Sequence, residues 1–535
     1  MQHTDWLLTA SERANPETRL DERHPGDTAW SVGNLVRPLI HGSTYFAELC
    51  ERLARTRAGD LVFFTDWQGD ADEQLTGEPG SEVVEVLGSA DERGVDVRGL
   101  IWRSHTEMLN FNASENRLLG RQLQARGAEA LLDMRVRTGG SHHQKLVVIR
   151  HRDHPDRDIA YVGGIDLCHS RRDDAEHLGD PQALAMAKEY GDTPPWHDVM
   201  AAITGPAVYD VETVFRERWE DPTRLTRHPV YWAQDKILRM DMEPDPLPEQ
   251  APPPPSPEGA TQTVQLLRTY PNLRRGRDYP FARGGERSVA RGYSKAVLQA
   301  RQLIYIEDQY LWGQHVGDVF TEALQRNPDL HVVAVVPLFT DQVGFLARMP
   351  QMLGRARAMK QMAQVAPDRV AIYGIENHQG TPVYVHAKVC VIDDIWATIG
   401  SDNFNRRSWT HDSELSAVVV DPSADDHSPY ARRLRLTLTA EHLDRPVSGD
   451  DEDSLLEVMG DCVDAAGMFA AYAEAARRLD EWHDGGRHGA RPPGRLRTLE
   501  PPELSPLARA AATVPYLVLH DPDGRPKPLR RKGGY

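Results

Sequence analysis

Two histidine–lysine pairs carry the chemistry open to this chain. His386 and Lys388 head the apolar run VHAKVCVI (385–392), and His143 and Lys145 head HHQKLVVI (142–149). In an extended strand, residues i and i+2 share a face. Each histidine therefore projects beside its lysine, while Val385, Ala387 and Val389 turn towards apolar packing. Asp393-Asp394 then forms a turn, IWATI returns as a second strand, and Gly400-Ser401-Asp402-Asn403 follows. Gly400 and Ser401 bring small groups and backbone N–H donors to the His/Lys face, a setting for a phosphate oxyanion. In the first copy Gly163-Gly164-Ile165-Asp166 closes the hairpin. Two such hairpins, paired about a pseudo-twofold axis, put two histidines and two lysines around one pocket.

That set of groups suits a phosphodiester, whose charge repels anionic nucleophiles and whose alkoxide is a poor leaving group. A neutral imidazole attacks phosphorus to give a covalent phosphohistidine. A second ring, protonated, supplies the departing alkoxide with a proton and later activates water or an alcohol. Imidazole, with an unperturbed pKa of about 6.5, takes both roles near neutrality. Lys145 and Lys388 bind the nonbridging oxygens and stabilise charge in the transition state. Ser401, Asn403 and Asp166, with the turns at Gly164 and Gly400, complete the phosphate cradle. Each histidine also needs a carboxylate to fix its tautomer. Asp198, before VMAAI, and Glu414, before LSAVVV, are the candidates, each opening an apolar strand in its own half.

The elements that must position these groups recur in the same order, as in an internal repeat. LVFFTDW (61–67) matches LIYIEDQYLW (303–312), and VDVRGLIW (95–102) matches LHVVAVVP (330–337). The two His/Lys runs follow, then YVGGID (161–166) and TIGSDN (398–403), then the two acidic strand starts. Between them lie helix-patterned stretches at 41–59, 207–220 and 294–302, the second with Pro206 at its start. Strands alternating with helices predict α/β lobes. Residues 243–258 (EPDPLPEQAPPPPSPE) are too rich in proline for a helix or a central strand and read as a semi-extended linker. The predicted division is a first lobe over 1–242, a linker over 243–262, a second lobe over 263–445, and a C-terminal region over 446–535. That last region is predicted as one long helix near 452–482 and an irregular tail.

The second copy holds H-x-K-x4-D-x6-G-S-x-N intact as His386, Lys388, Asp393, Gly400, Ser401 and Asn403. With the degenerate first copy it resembles the phospholipase D superfamily, the two-motif HKD phosphodiesterases, and phospholipase D proper above all. The resemblance covers most of residues 30–445 and includes FFTDW, IYIEDQY, VQLLRTYP (264–271) and WHDVMAAITGPA (196–207). It implies that the carboxylates cross over, Glu414 to His143 and Asp198 to His386. It implies His143 as nucleophile and His386 as general acid, with no metal and no organic cofactor. The first copy departs from the pattern: Arg150 stands where the motif has Asp, and HRDHPDRD (151–158) lengthens the hairpin. Asp153, Asp156 or Asp158 is then left to supply the carboxylate. Asp166 replaces the usual Asn, in a GGID variant similar to that of phospholipase D proper.

Composition bounds the rest. The chain has 535 residues, 40% of them hydrophobic, and a formal net charge of −18. That acidity disfavours a general nucleic-acid binder, which needs a basic footprint. Cys50, Cys168, Cys390 and Cys462 are too few for a disulfide scaffold and read as free thiols of a reducing compartment. Cys168 and Cys390 read as packing residues. His142, His151 and His154 lie near His143 without a matching ligand set and read as loop histidines rather than a metal site. No window reaches the roughly 18 apolar residues of a spanning helix, and no signal-like run opens the chain. The segment 344–364 carries Arg348, Arg355, Arg357, Lys360 and four methionines. It reads either as a helix packed on its own lobe or as a rim that touches lipid headgroups. A solvated tail is the plain reading of Arg530, Arg531 and Lys532.

The expectation is a monomeric, cytoplasmic, two-lobed α/β enzyme with mixed sheets flanked by helices and a site between the lobes. It meets phospholipid at a membrane surface and turns glycerophospholipid into phosphatidic acid and headgroup alcohol, with transfer to added alcohols. A phosphatidyltransferase of the cardiolipin synthase type comes second, a nuclease third, and a non-catalytic phospholipid-binding module last.

Overall fold

The computed structural model describes residues 3–105, 113–273, 278–341, 345–421, 427–449, 451–532 and 534–535, with backbone alone at 345–347. The first half contributes strands β1 (Ser31–Ile40), β2 (Leu61–Asp66), β3 (Asp96–Trp102), β4 (Glu129–Asp133), β5 (Leu146–Arg150), β6 (Ile159–Gly163), β7 (Trp196–His197) and β8 (Val199–Thr204). The second contributes β9 (Gln262–Tyr270), β10 (Glu286–Arg287), β11 (Leu303–Glu307), β12 (His331–Val335), β13 (Val370–Ile375), β14 (Tyr384–Val385), β15 (Val389–Ile392), β16 (Trp396–Gly400) and β17 (Glu414–Val420), and the C-terminal region adds β18 (Leu496–Thr498).

The strand order exposes the duplication. One lobe runs β1-β8-β6-β5-β2-β3-β4 and the other β9-β17-β16-β15-β11-β12-β13, with β18 added at the edge. Within each lobe the last two pairings, β2 to β3 to β4 and β11 to β12 to β13, are parallel and the rest antiparallel. Antiparallel pairing of β1 with β9 joins the lobes into one mixed sheet.

Side-chain alternation sorts the core into layers. Along β5, Leu146 and Val148 face a central cluster shared by both lobes, and Val147 and Ile149 face a first-lobe cluster. Along β15, Val389 and Val391 join the same central cluster, and Cys390 and Ile392 face the second lobe's own. Helices Gly42–Ala54, Val83–Glu92 and Ala113–Arg126 cover the first outer face, and Ser288–Gln299, Gln314–Arg326 and Phe345–Val365 the second. Ala207–Trp219 and Pro429–His442 pack on the central side. Among the described residues no helix is long and apolar enough to cross a membrane.

Several expectations change. Residues 243–261 are extended, yet they are strapped to the first lobe: Arg150 donates to Ala251 O and Pro252 O, Arg216 to Pro248 O, and the Trp219 indole to Asp245 O. The long helix near 452–482 is two helices, Glu452–Met459 and Ala465–Asp484. The break falls at Gly460, and Asp464 caps the second helix by accepting from Gly467 N–H. The tail is ordered. It supplies β18, the helix Pro506–Pro515, and buried Tyr516 and Asp521. Arg530, Arg531 and Lys532 lie on the last turn of the helix Lys527–Lys532, where Arg530 donates to Arg525 O. Segment 344–364 forms most of the helix Phe345–Val365, with Gly344 outside the described residues. Leu353, Met359 and Met362 are buried and Arg355 donates to Pro337 O, so this helix packs on its own lobe. All four cysteines are free; Cys168, Cys390 and Cys462 are buried.

The lengthened first hairpin resolves the Arg150 substitution. In the second lobe Asp394, at the turn, accepts from both Nε and Nη2 of Arg435 on the following helix. In the first lobe the polarity is reversed: Arg150 pairs with Glu212 of the equivalent helix at 2.7 Å and with Asp158 at 2.8 Å. Asp158 also accepts the His151 N–H, whereas Asp153 and Asp156 are exposed. Asp393, the motif aspartate itself, accepts backbone N–H bonds from Arg301, Gln302 and Leu303 and so caps the start of β11. Hairpin and helix are clamped by a buried ion pair in both lobes, with opposite charges on the two sides.

Candidate active site

Each His/Lys motif lies just before its hairpin strand, since β5 begins at Leu146 and β15 at Val389. Short pairings across the lobes place these extended segments. β14 runs parallel to β7 with Val385 opposite His197, and His197 O accepts the backbone N–H of both His386 and Ala387. In the related position His142 bridges Ser413, whose carbonyl accepts the His143 N–H at 2.9 Å. The next residue in each partner segment is the carboxylate. Asp198 Oδ2 lies 2.6 Å from His386 Nδ1, and Glu414 Oε2 lies 2.8 Å from His143 Nδ1. Backbone pairing thus delivers each carboxylate to the histidine of the other lobe. With Nδ1–H held by a carboxylate, the neutral ring presents the Nε2 lone pair.

The four central groups feel one another. Burial, then Lys145 and Lys388, hold His143 well below the ordinary histidine value. Burial, then Lys388, Arg171, Lys145 and His143, do the same to His386. Burial also pulls the Lys388 ammonium down to about 8. Burial beside Asp412 pushes Glu414 up to about 8. Asp198 is raised by burial too, but Lys388, the Val199 N–H, Arg171 and the Trp196 N–H draw it back.

Not every predicted group faces the pocket. Ser401 Oγ donates to Glu414 Oε2 at 2.6 Å and accepts the Leu415 N–H, so it braces the carboxylate. Asp166 accepts the Trp67 and Gln68 N–H groups and stands 3.5 Å from Lys145 Nζ, so it holds the lysine rather than an anion. The Gly164 N–H donates to Val199 O and the Gly400 N–H to Lys388 O. Both glycines are needed for close approach, because a Cβ at Gly164 would overlap Asp198 and one at Gly400 would overlap Ser416. Asn403 is buried with an unpartnered Oδ1. His142 is buried and electrostatically coupled to Arg218 and Asp133, and His151 and His154 lie on the hairpin loop.

Sequence reasoning missed the aromatic walls. Trp67 stands edge-on to His143, and Lys145 Nζ lies 5.7 Å from its ring centre. Trp196 packs on His386 at 4.9 Å, and Arg171 stacks on Trp196 at 3.9 Å. Both tryptophans adjoin quoted motif residues (FFTDW, WHDV), which was the available signal. On the second side Gln309 takes the place of Trp67 and accepts from Lys388 Nζ at 3.3 Å.

The duplicated lobes and the crossed His/carboxylate pairs define a two-motif phosphodiesterase fold. A family model described as Phospholipase D matches residues 57–335, and one described as Cardiolipin synthase, PLD-like domain, matches 295–434. The chain belongs to the phospholipase D family. Phospholipase D beta 1 of Arabidopsis thaliana is 26% identical over 516 residues, covering 72% of this chain and 47% of the relative. Phospholipase D A of Dictyostelium discoideum is 28% identical over 374 residues, 57% of this chain and 27% of the relative. The chain thus spans about half the length of the first and about a quarter of the second. The crystal structure of a phosphatidylserine synthase from Haemophilus influenzae Rd KW20 shares the fold, with a TM-score of 0.50, 13% identity, and 83% and 93% of the two chains covered.

Lys388 makes the pH dependence testable. On the roles that the resemblance implies, the free enzyme needs His386 protonated and His143 neutral, and both rings are depressed. Log kcat/KM on a soluble phosphodiester therefore falls with unit slope once His386 loses its proton, on the acid side of about 6.5. Above about 8 it steepens further, because Lys388 loses its charge while Glu414 gains one. A bound anion favours the charged lysine, so kcat breaks at higher pH than kcat/KM. A profile with no second break up to pH 10 contradicts this account.

Proposed function

We propose that the chain is a phospholipase D-type phosphodiesterase that cleaves glycerophospholipids to phosphatidic acid and a headgroup alcohol. The observation that carries this reading is the pair of histidines, each fixed at Nδ1 by a carboxylate of the other lobe, with the charges of Lys145 and Lys388 acting on both rings. His143 Nε2 attacks phosphorus and the bond to the headgroup oxygen breaks. His386 gives its Nε2 proton to that oxygen, and the alcohol leaves. Water then attacks phosphorus, His386 takes its proton, and the P–N bond breaks to free phosphatidic acid and His143. An alcohol in place of water gives the transfer product. Asn403 follows the Gly400-Ser401 turn as a buried neutral polar group, and no metal or organic cofactor enters these steps. The phospholipase D names of the curated relatives support the substrate class.

One chain holds both motif copies, which supports a monomer with a complete pocket, and the free thiols support a reducing compartment such as the cytoplasm. The surface beside the pocket supports docking on phospholipid. Helix Pro229–Ile237 exposes Val230, Trp232 and Ile237 next to a cavity of about 560 Å³ lined by Arg224, Arg227 and Trp232. Tyr231 donates to His105 O, and the His105 ring contacts Gly140 O, two residues before His142. On the other side of that turn, Arg407 donates to both Gly139 O and Leu519 O, and Val518 and Leu519 are exposed. Apolar and aromatic tips with arginines suit a headgroup boundary. Trp232→Glu should lower turnover on vesicles about tenfold and leave a short-chain soluble diester unaffected, as apolar insertion requires; equal effects on both would remove the docking role.

The main test gives the protein vesicles of phosphatidylcholine, phosphatidylethanolamine and phosphatidylglycerol with ethanol present. Phosphatidylethanol and phosphatidic acid form, and neither forms with His143→Ala. Absence of any lipid product from the wild type rejects the substrate. The match to the cardiolipin synthase domain model over 295–434 favours a second reading, in which a lipid alcohol is the natural acceptor. Cardiolipin from phosphatidylglycerol alone, at the expense of phosphatidic acid, would select it.

A further inference from the structure

Behind the catalytic pocket lies a second cluster of histidines that the phosphodiesterase steps do not use. His41, His177 and His197 come from the first lobe and Glu441 from the helix Pro429–His442 of the second. One ligand-capable atom from each lies within 4.8 Å of all the others. The three rings surround a common point, with centres 5.0 to 5.6 Å apart. His41 Nε2 is 2.8 Å, His177 Nε2 2.9 Å and His197 Nδ1 3.6 Å from the Glu441 carboxylate. All three histidines are buried.

Their outer nitrogens decide what the inner ones offer. His197 Nε2 is 2.7 Å from Glu307, an obligate acceptor when ionised, so that nitrogen carries the proton. His197 Nδ1 is left as a buried lone pair with no hydrogen-bond partner, aimed at Glu441. His177 Nδ1 is 3.2 Å from Trp196 O, which also can only accept, so in the neutral ring Nε2 is the lone pair. His41 Nε2 and His177 Nε2 meet Glu441 through a proton, whereas the His197 Nδ1 lone pair faces the carboxylate with none, and one metal cation satisfies all three nitrogens together. An acceptor on the far nitrogen of each ring is the outer support that metal-ligating histidines have. His41 is held at φ +70, where a side-chain residue is strained, and this backbone directs its ring into the cluster.

We infer that His41, His177, His197 and Glu441 form a binding site for a divalent transition metal, zinc by preference, that staples the two lobes behind the active site. Three nitrogens and one carboxylate oxygen are a zinc donor set, and tetrahedral zinc at bond lengths of about 2.0–2.2 Å fits donors roughly 3.4 Å apart. The separations from Glu441, 2.8, 2.9 and 3.6 Å, straddle that value, and all four donor atoms lie within 4.8 Å of one another. Binding displaces the protons that Glu441 shares with His41 and His177. The staple acts on catalysis through position. His197 O holds the His386 and Ala387 N–H groups, and Asp198 O accepts the His41 N–H at 2.9 Å.

The test is metal analysis of the full-length protein, saturated with zinc and desalted. The wild type should retain close to one zinc per chain, and the cobalt-loaded protein should show the visible bands of tetrahedral coordination. His143→Ala should retain zinc equally, so failure of the phosphodiesterase reading leaves this result untouched. His177→Gln and Glu441→Gln should lose zinc and melt at lower temperature. Wild type that keeps no stoichiometric zinc overturns the inference however the variants fold, and means that protons alone bridge the cluster. Full retention in both variants overturns it as well, by placing the metal elsewhere.

Discussion

His143→Ala lowers kcat by on the order of 10^5-fold, as loss of a nucleophile does, or about 7 kcal/mol of transition-state stabilisation. On natural lipid His386→Ala loses a similar amount, because a headgroup alkoxide cannot leave without its proton. The two variants part on a p-nitrophenyl phosphodiester, whose leaving group needs no proton. His386→Ala then forms the P–N bond, releases one p-nitrophenolate per active site and stalls, because nothing activates water. His143→Ala releases none. The asymmetry behind this order lies in the carboxylates. Glu414, pushed up to about 8 by burial and by Asp412, gives an imidazolium weak support, which favours the proposed role of His143 as the neutral nucleophile. Asp198, raised by burial but drawn back by Lys388, Arg171 and two N–H donors, is the carboxylate that faces the proposed general acid His386. Rapid quench and intact mass read the outcome directly. A burst in His143→Ala and none in His386→Ala exchanges the two roles, and a burst in neither removes the covalent step.

The features legible in sequence are those that short spacing encodes. The i, i+2 pairing of His143 with Lys145 and His386 with Lys388 needs only an extended backbone. The order of matched strands needs only a repeat. The contacts Asp198–His386 and Glu414–His143 span 188 and 271 residues, and the resemblance implied them where spacing alone could not. Composition gives no hint of the rest. Arg150 looked like a broken motif because its partner Glu212 lies on a helix sixty-two residues away, and the charge reversal appears only when both lobes are compared. From their turn alone, Ser401 and the two glycines read as anion donors. The sheet consumes the glycine N–H groups, and Glu414 takes the serine hydroxyl, because buried polar groups must be paired. The cluster around Glu441 was invisible for the same reason: its four members lie between residues 41 and 441 and share no local pattern. The proline-rich stretch is extended, and its carbonyls are the acceptors that Arg150 and Arg216 require.

Asp198→Asn should reduce kcat on lipid by about 10^3- to 10^4-fold, the scale of losing a carboxylate that orients a catalytic histidine, with little change in KM. Asp198 uses both oxygens. Oδ1 accepts the Val199 N–H at 2.9 Å, and Oδ2 takes His386 Nδ1 at 2.6 Å and the Trp196 indole at 3.5 Å. An amide cannot serve both sides. With its oxygen on Val199, its NH2 group faces His386 Nδ1 and forces that nitrogen to accept, so the ring cannot hold the second proton a general acid needs. With its oxygen on His386, two donors meet at Val199. Either way the imidazolium loses its counter-charge in a pocket where burial, Lys388, Arg171 and Lys145 already oppose it. The p-nitrophenyl burst should survive in this variant, since His143 keeps Glu414, whereas Glu414→Gln should slow the burst itself. Gly164 belongs to the same argument: a methyl group there occupies the space of Asp198 Oδ1, so Gly164→Ala should reproduce the loss by displacing the carboxylate. A kcat for Asp198→Asn within tenfold of the wild type would mean that His386 holds its proton without Asp198, and the crossed pairs would then be structural rather than catalytic.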